Sequence, residues 1–251
     1  MRALFDYKGN AFVADLDHPL DISIPLQAGT ATVNCFYAPP MEVSPVVAGS
    51  FIGDTSQGGP VNFLNVRLNP HGNGTHTECV GHIAKERYTI NGQLKYFFYL
   101  AKLISLYPAR TAEGDRVITR ELLEDCLLPD EAQAVIIRTL PNDTSKRHRH
   151  YSGTNAPYVA PETGQYLVEC GIEHLLIDLP SVDKEEDDGA LATHKAFWLY
   201  PDNTREGCTI TELIYVPDEI SDGFYLLNIQ IASFEIDVSP SKPVLYRMVN
   251  Y

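Results

Sequence analysis

The sequence has no long hydrophobic run and comparatively few basic residues. None of its stretches approaches the roughly 20 apolar residues that a transmembrane helix needs, although 44% of the 251 residues are hydrophobic. Lys and Arg number 19 against 33 Asp and Glu, which gives a formal net charge of −14. A surface with this excess of negative charge repels phosphate backbones. We therefore expect neither a membrane protein nor a nucleic-acid-binding protein.

The sequence also lacks CxxC pairs, internal repeats and an apolar signal-peptide core near its first residue. The five cysteines are an odd number and are widely spaced. These features are typical of a protein kept in a reducing compartment, and we expect it in the cytoplasm. The length fits one large domain, which we expect to span residues 1–251.

Hydrophobic patterning predicts the α+β class with a mixed β-sheet. A strand at 132–140, a helix at 160–171 and a strand at 174–180 indicate two parallel strands joined by a crossover helix. A second helix is predicted at 119–128. Further strands are predicted at 19–25, 31–37, 61–68 and 95–107, and in most of the chain after residue 190, including AFWLY (196–200).

The segment NPHGNGTHTECVGH (69–82) concentrates histidines beside a glutamate. If the strand predicted at 61–68 continues towards Thr77, the side chains of His76 and Glu78 leave the same face of it. An imidazole and a carboxylate aimed at one point are suitable metal ligands. The spacing differs from the helical HExxH motif, and by itself it leaves a metal site and hydrogen-bonded structural histidines equally open.

Polar residues further along the chain are candidates to complete such a site. His194 and Glu212 each stand beside an apolar run, where a charge is costly unless it is paired or bound to a metal. Asp178, Ser181 and Asp183 follow the second predicted parallel strand, at the sheet edge where open sheets often carry their sites. Each of these residues, taken singly, is also consistent with a cap, a turn or a surface position.

Other charged residues and histidines are interpreted as structural. DKEEDDG (183–189) is interpreted as a solvated loop. RHRH (147–150) is interpreted as part of a surface loop, with a lid over a site as the alternative. His18 is assigned to a turn and His174 to the start of a strand. Arg138 ends a strand, where we expect a structural ion pair, with contact to an acidic substrate as the alternative.

GNGTHTECVGH resembles the H-x-G-T-H-x-D-x-P-x-H signature of the cyclase family of metal-dependent hydrolases, which includes kynurenine formamidase. Other segments resemble this family in the same order, and together they cover most of residues 14–247: DLDHPLDISIPL, AVIIRTL, APYVAPETGQYLVECGIEHLLIDLPSVD and TITELIYVPDEISDGFYLLNIQIASFEIDVSPSKPVLY. The resemblance implies a swivelling β/β/α domain with a mixed sheet, and an assembly of two or four copies of the chain.

The resemblance also implies a role for each matched residue. His76 takes the place of a metal-binding histidine, and Glu78 takes that of an aspartate that can bridge two metals. His82 takes the place of the histidine that carries protons. His194 and Glu212 take the places of the two metal ligands that follow later in the family's sequences.

This sequence departs from the signature, which bears on the metal site. The first signature histidine falls on Gly72, and His71 stands one residue earlier. A local bulge at the nearby glycines would let His71 serve as the missing ligand; otherwise one metal position loses a ligand. Glu78 replaces the aspartate, and Val80 replaces the proline. The implied cofactor is one or two divalent ions per chain, zinc or manganese.

The function that the resemblance implies is hydrolysis of an amide, such as the aryl formamide N-formylkynurenine. His82 acts as the acid and base in this scheme, and the metal activates a water molecule. One alternative is the opening of a cyclic amide such as isatin. Another is a non-catalytic member of the family that binds a ligand or partner, which the missing first histidine favours.

Overall fold

The computed structural model of the protein describes residues 1–249. Its strands are β1 (Arg2–Tyr7), β2 (Asn10–Asp15), β3 (Leu20–Asp21), β4 (Glu42–Pro45), β5 (Val47–Ala48), β6 (Phe51–Ile52), β7 (Leu64–Arg67), β8 (His76–Cys79), β9 (Phe98–Leu106), β10 (Ala109–Arg110), β11 (Arg116–Ile118), β12 (Ala134–Thr139), β13 (Tyr158–Val159), β14 (His174–Ile177), β15 (Thr209–Glu212), β16 (Gly223–Ile231) and β17 (Val238–Val249).

The helices are short. The α-helices are α1 (Pro70–Asn73), α2 (Ile90–Gln93), α3 (Arg120–Glu124), α4 (Pro161–Glu169) and α5 (Ala192–Trp198). Single 3₁₀ turns lie at Thr55–Gln57, Val80–His82 and Thr144–Arg147. Within residues 1–249, no helix has both the length and the apolar character needed to cross a membrane. All five cysteines are free thiols.

The main sheet is mixed and closes on itself. Strands β9, β12, β14 and β15 are neighbours, and β12 and β14 run parallel to the strands on either side of them. Antiparallel β16 follows β9 on one side, and antiparallel β8 follows β15 on the other. Strand β17 pairs with both β16 and β8, which closes a barrel-like sheet. This is the α+β swivelling β/β/α architecture that the sequence predicts.

The core lies on both faces of the parallel strands. In β12, Val135 and Ile137 pack with the helices, while Ala134 and Ile136 pack inside the closed sheet. Parallel strands that are covered on both faces are apolar throughout rather than alternating. This explains why the sequence at 134–137, AVII, is apolar at every position.

The predicted crossover is confirmed. Helix α4 connects β12 to β14, and it begins with Pro161, which is compatible with the first helical position because that residue needs no N–H partner. It ends before Gly171, whose φ of 74° is in the left-handed region, and whose N–H donates to the carbonyl oxygen of Val168.

Two of the predicted strands are wrong, and a third is present but does not continue to the histidine segment. AFWLY (196–200) begins inside helix α5 rather than in a strand, because a short apolar run does not distinguish a buried helix from a buried strand. The segment 31–37 forms no strand and makes one isolated bridge, from Asn34 to His150. The strand within 61–68 is β7, which pairs with β4 in a separate, exposed two-stranded sheet and ends at Arg67. It therefore does not continue to His76.

The segment after β12 is anchored at one buried ion pair. The Lys146 ammonium lies 2.7 Å from an Asp178 carboxylate oxygen and also donates to the Thr139 side chain. Thr139 donates its own N–H to Asp178. The basic residues that follow, 147–150, lie mostly at the surface, as expected for a surface loop.

Lys146→Met should destabilise the protein strongly, because it leaves the Asp178 carboxylate buried without its cation. We expect the free energy of unfolding to fall by about 3–5 kcal/mol, measured by urea denaturation. Lys8→Met is the matched control, because it removes the exposed ion pair with Asp130 and should change the stability little. Equal losses in the two variants would contradict this account of the segment.

Candidate metal centre

The site is built on strand β8, which lies between β15 and β17 and is antiparallel to both. All four residues of β8 are buried. His76 and Glu78 are two positions apart, so their side chains leave the same face. In the register with β15, His76 lies opposite Glu212, and His76 Nε2 is 3.3 Å from Glu212 Oε2. The strand pairing thus brings together two residues that are far apart in the sequence.

Helix α5 supplies His194, which is held by Asp183. The Asp183 carboxylate accepts the backbone N–H groups of Thr193 and His194, and so caps the first turn of the helix. The same carboxylate is 2.6 Å from His194 Nδ1. This contact directs the other ring nitrogen, Nε2, to a distance of 3.2 Å from Glu78 Oε1. Asp183 is therefore buried at the site, in contrast to the solvated loop that the sequence predicts for 183–189.

His71 and His82 approach the second oxygen of Glu78. His71 lies in the single turn α1, whose first N–H groups are capped by Asn69. Its Nδ1 is 3.2 Å from Glu78 Oε2. His82 lies in the 3₁₀ turn after β8, with its Nδ1 3.7 Å from the same oxygen. The structure therefore brings all six residues of the predicted site together: His71, His76, Glu78, His82, His194 and Glu212.

The geometry at Gly72 explains why the first signature histidine is displaced. A Cβ atom at this position would lie 2.3 Å from the Ala38 Cβ and 3.0 Å from the Cys35 carbonyl oxygen. No side chain fits there without moving the backbone of the neighbouring segment. His71 reaches the cluster from the helical turn α1, rather than through the β-bulge that was one of the two alternatives.

The electrostatics of the cluster centre on Glu78, whose side chain is completely buried. Burial by itself would raise the pKa of this carboxyl, but the neighbouring imidazoles outweigh that effect and hold the pKa well below its ordinary value. The pKa of His194 is raised to about 10: burial opposes the charged form, but contacts with Asp183 and Glu78 favour it more strongly. The carboxylates of Asp183 and Glu78 therefore favour the protonated form of His194.

The donor atoms fit a divalent cation. His76 Nε2 and Glu78 Oε2 are both buried and make no hydrogen bond within residues 1–249. The polar atoms that face them, Glu212 Oε2 at 3.3 Å and His71 Nδ1 at 3.2 Å, are not oriented to form one. A buried polar atom without a partner is costly, and a bound ion would satisfy both atoms. His76 donates Nδ1–H to the Gly74 carbonyl, which leaves Nε2 free to bind a metal. Three overlapping groups place one donor atom of each member within 4.8 Å of the others: His71–His76–Glu78, His71–His82–Asp237 and Glu78–His82–His194.

Asp237 is the site residue that the sequence analysis missed. Its carboxylate lies 2.9 Å from His71 Nε2 and 3.5 Å from His82 Nδ1. Hydrogen bonds from His71 and His82 hold the pKa of Asp237 well below its ordinary value. The signal for this residue is the pairing of β17 with β8, which local sequence patterns do not reveal.

Several other candidate residues lie outside the cluster. Arg138 donates to the Asp222 carboxylate at 2.9 Å and to two backbone carbonyls, which confirms the structural ion pair. His174 is buried beside the Thr209 hydroxyl, and burial lowers its pKa to about 3. It is a structural residue, as expected. Asp178 belongs to the ion pair with Lys146 rather than to the site.

Comparison with known proteins shows the family of this chain. The family model described as "Putative cyclase" matches residues 15–184, which is more than half of the chain. The chain therefore belongs to the cyclase family and is a hydrolase-type enzyme of that family, with the His/Glu cluster as its candidate metal site.

Individual relatives agree with this assignment. The chain is similar to the kynurenine formamidase of Bacillus cytotoxicus, at 24% identity over 191 residues that cover 75% of this chain and 82% of that protein. A "predicted metal-dependent hydrolase" from Bacillus stearothermophilus has a TM-score of 0.63 at 16% identity, covering 91% of this chain and 98% of that one. Isatin hydrolase A from Labrenzia aggregata, bound to benzyl benzoate, has a TM-score of 0.65 at 16% identity, covering 93% and 94%. The two structures share the fold of this chain.

Metal content tests whether β8 and β15 share one site. We expect the zinc or manganese bound per chain to fall in both His76→Ala and Glu212→Ala, because the two side chains face each other across the strand pair. The measurement is elemental analysis after reconstitution. His18→Ala is the control, because His18 is exposed and pairs with Asp15, away from the cluster. The same metal content in all variants would show that the ion binds elsewhere.

Proposed function

We propose that the protein is a metal-dependent amidohydrolase that acts on a small amide, with an aryl formamide such as N-formylkynurenine as the best candidate. The observation that carries this proposal is the pair of buried, unpartnered atoms His76 Nε2 and Glu78 Oε2 within a cluster of imidazoles and carboxylates. The similarity to a kynurenine formamidase supports the substrate class.

The proposed metal ligands are His71, His76, Glu78, His194 and Glu212. His71 and His76 form a group with Glu78, and Glu212 stands beside His76. His194 contacts the other oxygen of Glu78. Two of the three candidate groups contain Glu78, so this carboxylate would be a ligand whether the site holds one ion or two. The mixed nitrogen and oxygen donors suit zinc or manganese.

A divalent ion at this position supplies Lewis acidity, which activates a water molecule and polarises a carbonyl group. The proposed role of the protein is to hold the substrate and move the proton. His82 is the candidate for proton transfer because its side chain is 30% exposed, whereas those of His76 and His194 are at most 2% exposed. The imidazole would take a proton from water and deliver it to the leaving amine.

A cleft of about 350 Å³ beside the cluster is the proposed substrate site. Its volume lies at the lower end of the range for small-molecule pockets, which is about 300–1,000 Å³. His71 and Asp237 form its inner wall, and the rest is largely apolar, with Leu68 and Ile236 among the lining residues. Arg67 also lines the cleft and supplies positive charge there. An aromatic amide with an acidic group matches this combination, despite the negative net charge of the protein.

The convergence of the whole ligand set argues against a non-catalytic family member. His71 reaches the cluster despite its displacement from the signature position, so the loss of the first signature histidine does not leave a gap. Opening of a cyclic amide needs the same activated water, and the choice between the two substrate types rests on experiment.

Hydrolysis of N-formylkynurenine, formanilide and isatin by the metal-loaded protein tests the proposal. We expect a formamide to be hydrolysed, and His82→Ala to lower kcat by about 10²–10⁴-fold with the metal content unchanged. His150→Ala, an exposed histidine outside the cluster, is the control.

Each other outcome of this assay has a defined meaning. Preferential hydrolysis of isatin would replace the formamide with a cyclic amide as the substrate. Loss of metal in His82→Ala would make His82 a ligand instead of the proton carrier. No hydrolysis of any of the three by folded, metal-loaded protein would contradict the proposed activity.

A further inference from the structure

Asp237 is fixed next to the cluster by the backbone. It lies immediately before β17, and its carbonyl oxygen accepts the Cys79 N–H at 3.0 Å. This contact ties the residue to the end of β8. Its side chain points back towards the cluster, with the carboxylate 2.9 Å from His71 Nε2 and 3.5 Å from His82 Nδ1.

The buried imidazoles of the cluster share one arrangement. His76 bonds the Gly74 carbonyl through Nδ1, and His194 bonds Asp183 through Nδ1. In each case the other nitrogen, Nε2, faces a carboxylate of the cluster. Metal-binding histidines are commonly oriented in this way, by an acceptor on the ring nitrogen that does not bind the metal.

His71 shows the same arrangement with its ring nitrogens exchanged. Its Nε2 bonds Asp237, and its Nδ1 faces Glu78 Oε2. Asp237 therefore contacts His71 as Asp183 contacts His194: each carboxylate bonds the ring nitrogen that faces away from Glu78. His71 needs such a partner most, because its side chain is 23% exposed and lines the open cleft, whereas His76 and His194 are enclosed.

We propose that Asp237 is a positioning residue that holds His71 so that Nδ1 completes the metal cluster. This inference rests on the proposed function, because it assumes that the cluster binds a metal. It explains how the chain tolerates Gly72, where the contact with Ala38 leaves no space for a side chain. The histidine is provided one residue earlier, from the turn α1, and a carboxylate from β17 fixes its ring.

The test is the affinity for zinc, measured by competition with a chromophoric chelator. We expect Asp237→Asn to weaken zinc binding by about 10–100-fold, because the amide no longer supplies the charged acceptor. Asp237→Glu should restore most of the affinity, because it keeps the carboxylate. Glu235→Gln is the matched control: it removes the same charge two residues away, from a carboxylate that contacts Asn91 and Thr89. It should bind zinc as the unmodified protein does.

A double-mutant cycle with His71→Ala shows whether Asp237 acts through His71. If it does, Asp237→Asn causes no further loss of zinc affinity once His71 is absent. Independent losses in the double variant would overturn the proposal, and so would unchanged affinity in Asp237→Asn. If the unmodified, folded protein binds neither zinc nor manganese, the proposed function itself is overturned. This result is distinguishable from a failure of the Asp237 proposal, because it is seen before any variant is compared.

Discussion

The buried carboxylate of Glu78 is the constraint on which the site depends. It lies on β8, a strand with protein on both sides, and its side chain is fully removed from solvent. An unpaired carboxylate in such a place costs several kcal/mol, so the surrounding chain must supply positive charge. Three histidines lie within 4 Å of its oxygens, and they come from α1, from the turn after β8 and from α5. The histidines that stabilise the buried carboxylate are thus the same residues that form the candidate metal site.

Closure of the sheet produces the site. Strand β15 places Glu212 beside His76, and β17 places Asp237 beside His71 and His82. The first contact depends on the pairing of β8 with β15 and the second on its pairing with β17, so the complete site needs β8 to be paired on both edges. The carboxylates Asp183 and Asp237 lie outside the innermost group. Asp183 contacts His194, and Asp237 contacts both His71 and His82. The open cleft lies on the Asp237 side, so the exposed edge of the cluster is where a substrate can approach.

The sequence predicted which residues meet at the site better than it predicted the secondary structure that carries them. The apolar strands and the crossover helix were predictable because parallel strands buried on both faces have continuous hydrophobic runs. The six residues of the predicted site were named from the resemblance to the cyclase family; the structure brings them together, and their role as metal ligands stays a prediction. The continuation of a strand from 61–68 to His76 was wrong, because α1 intervenes. The strand predicted at AFWLY was wrong because the periodicity of so short an apolar run does not distinguish a helix from a strand. Asp237 was missed because its role depends on a strand pairing between distant parts of the chain, which no local pattern records.

The proposed chemistry depends on a divalent cation bound between His76 and Glu78. Anomalous diffraction from crystals grown with zinc, recorded at the zinc absorption edge, tests it most directly. We expect a peak at about 2.0–2.2 Å from both His76 Nε2 and an oxygen of Glu78. A structure with zinc only at surface residues, and with His76 and Glu78 free of any ion, would contradict a metal site on β8.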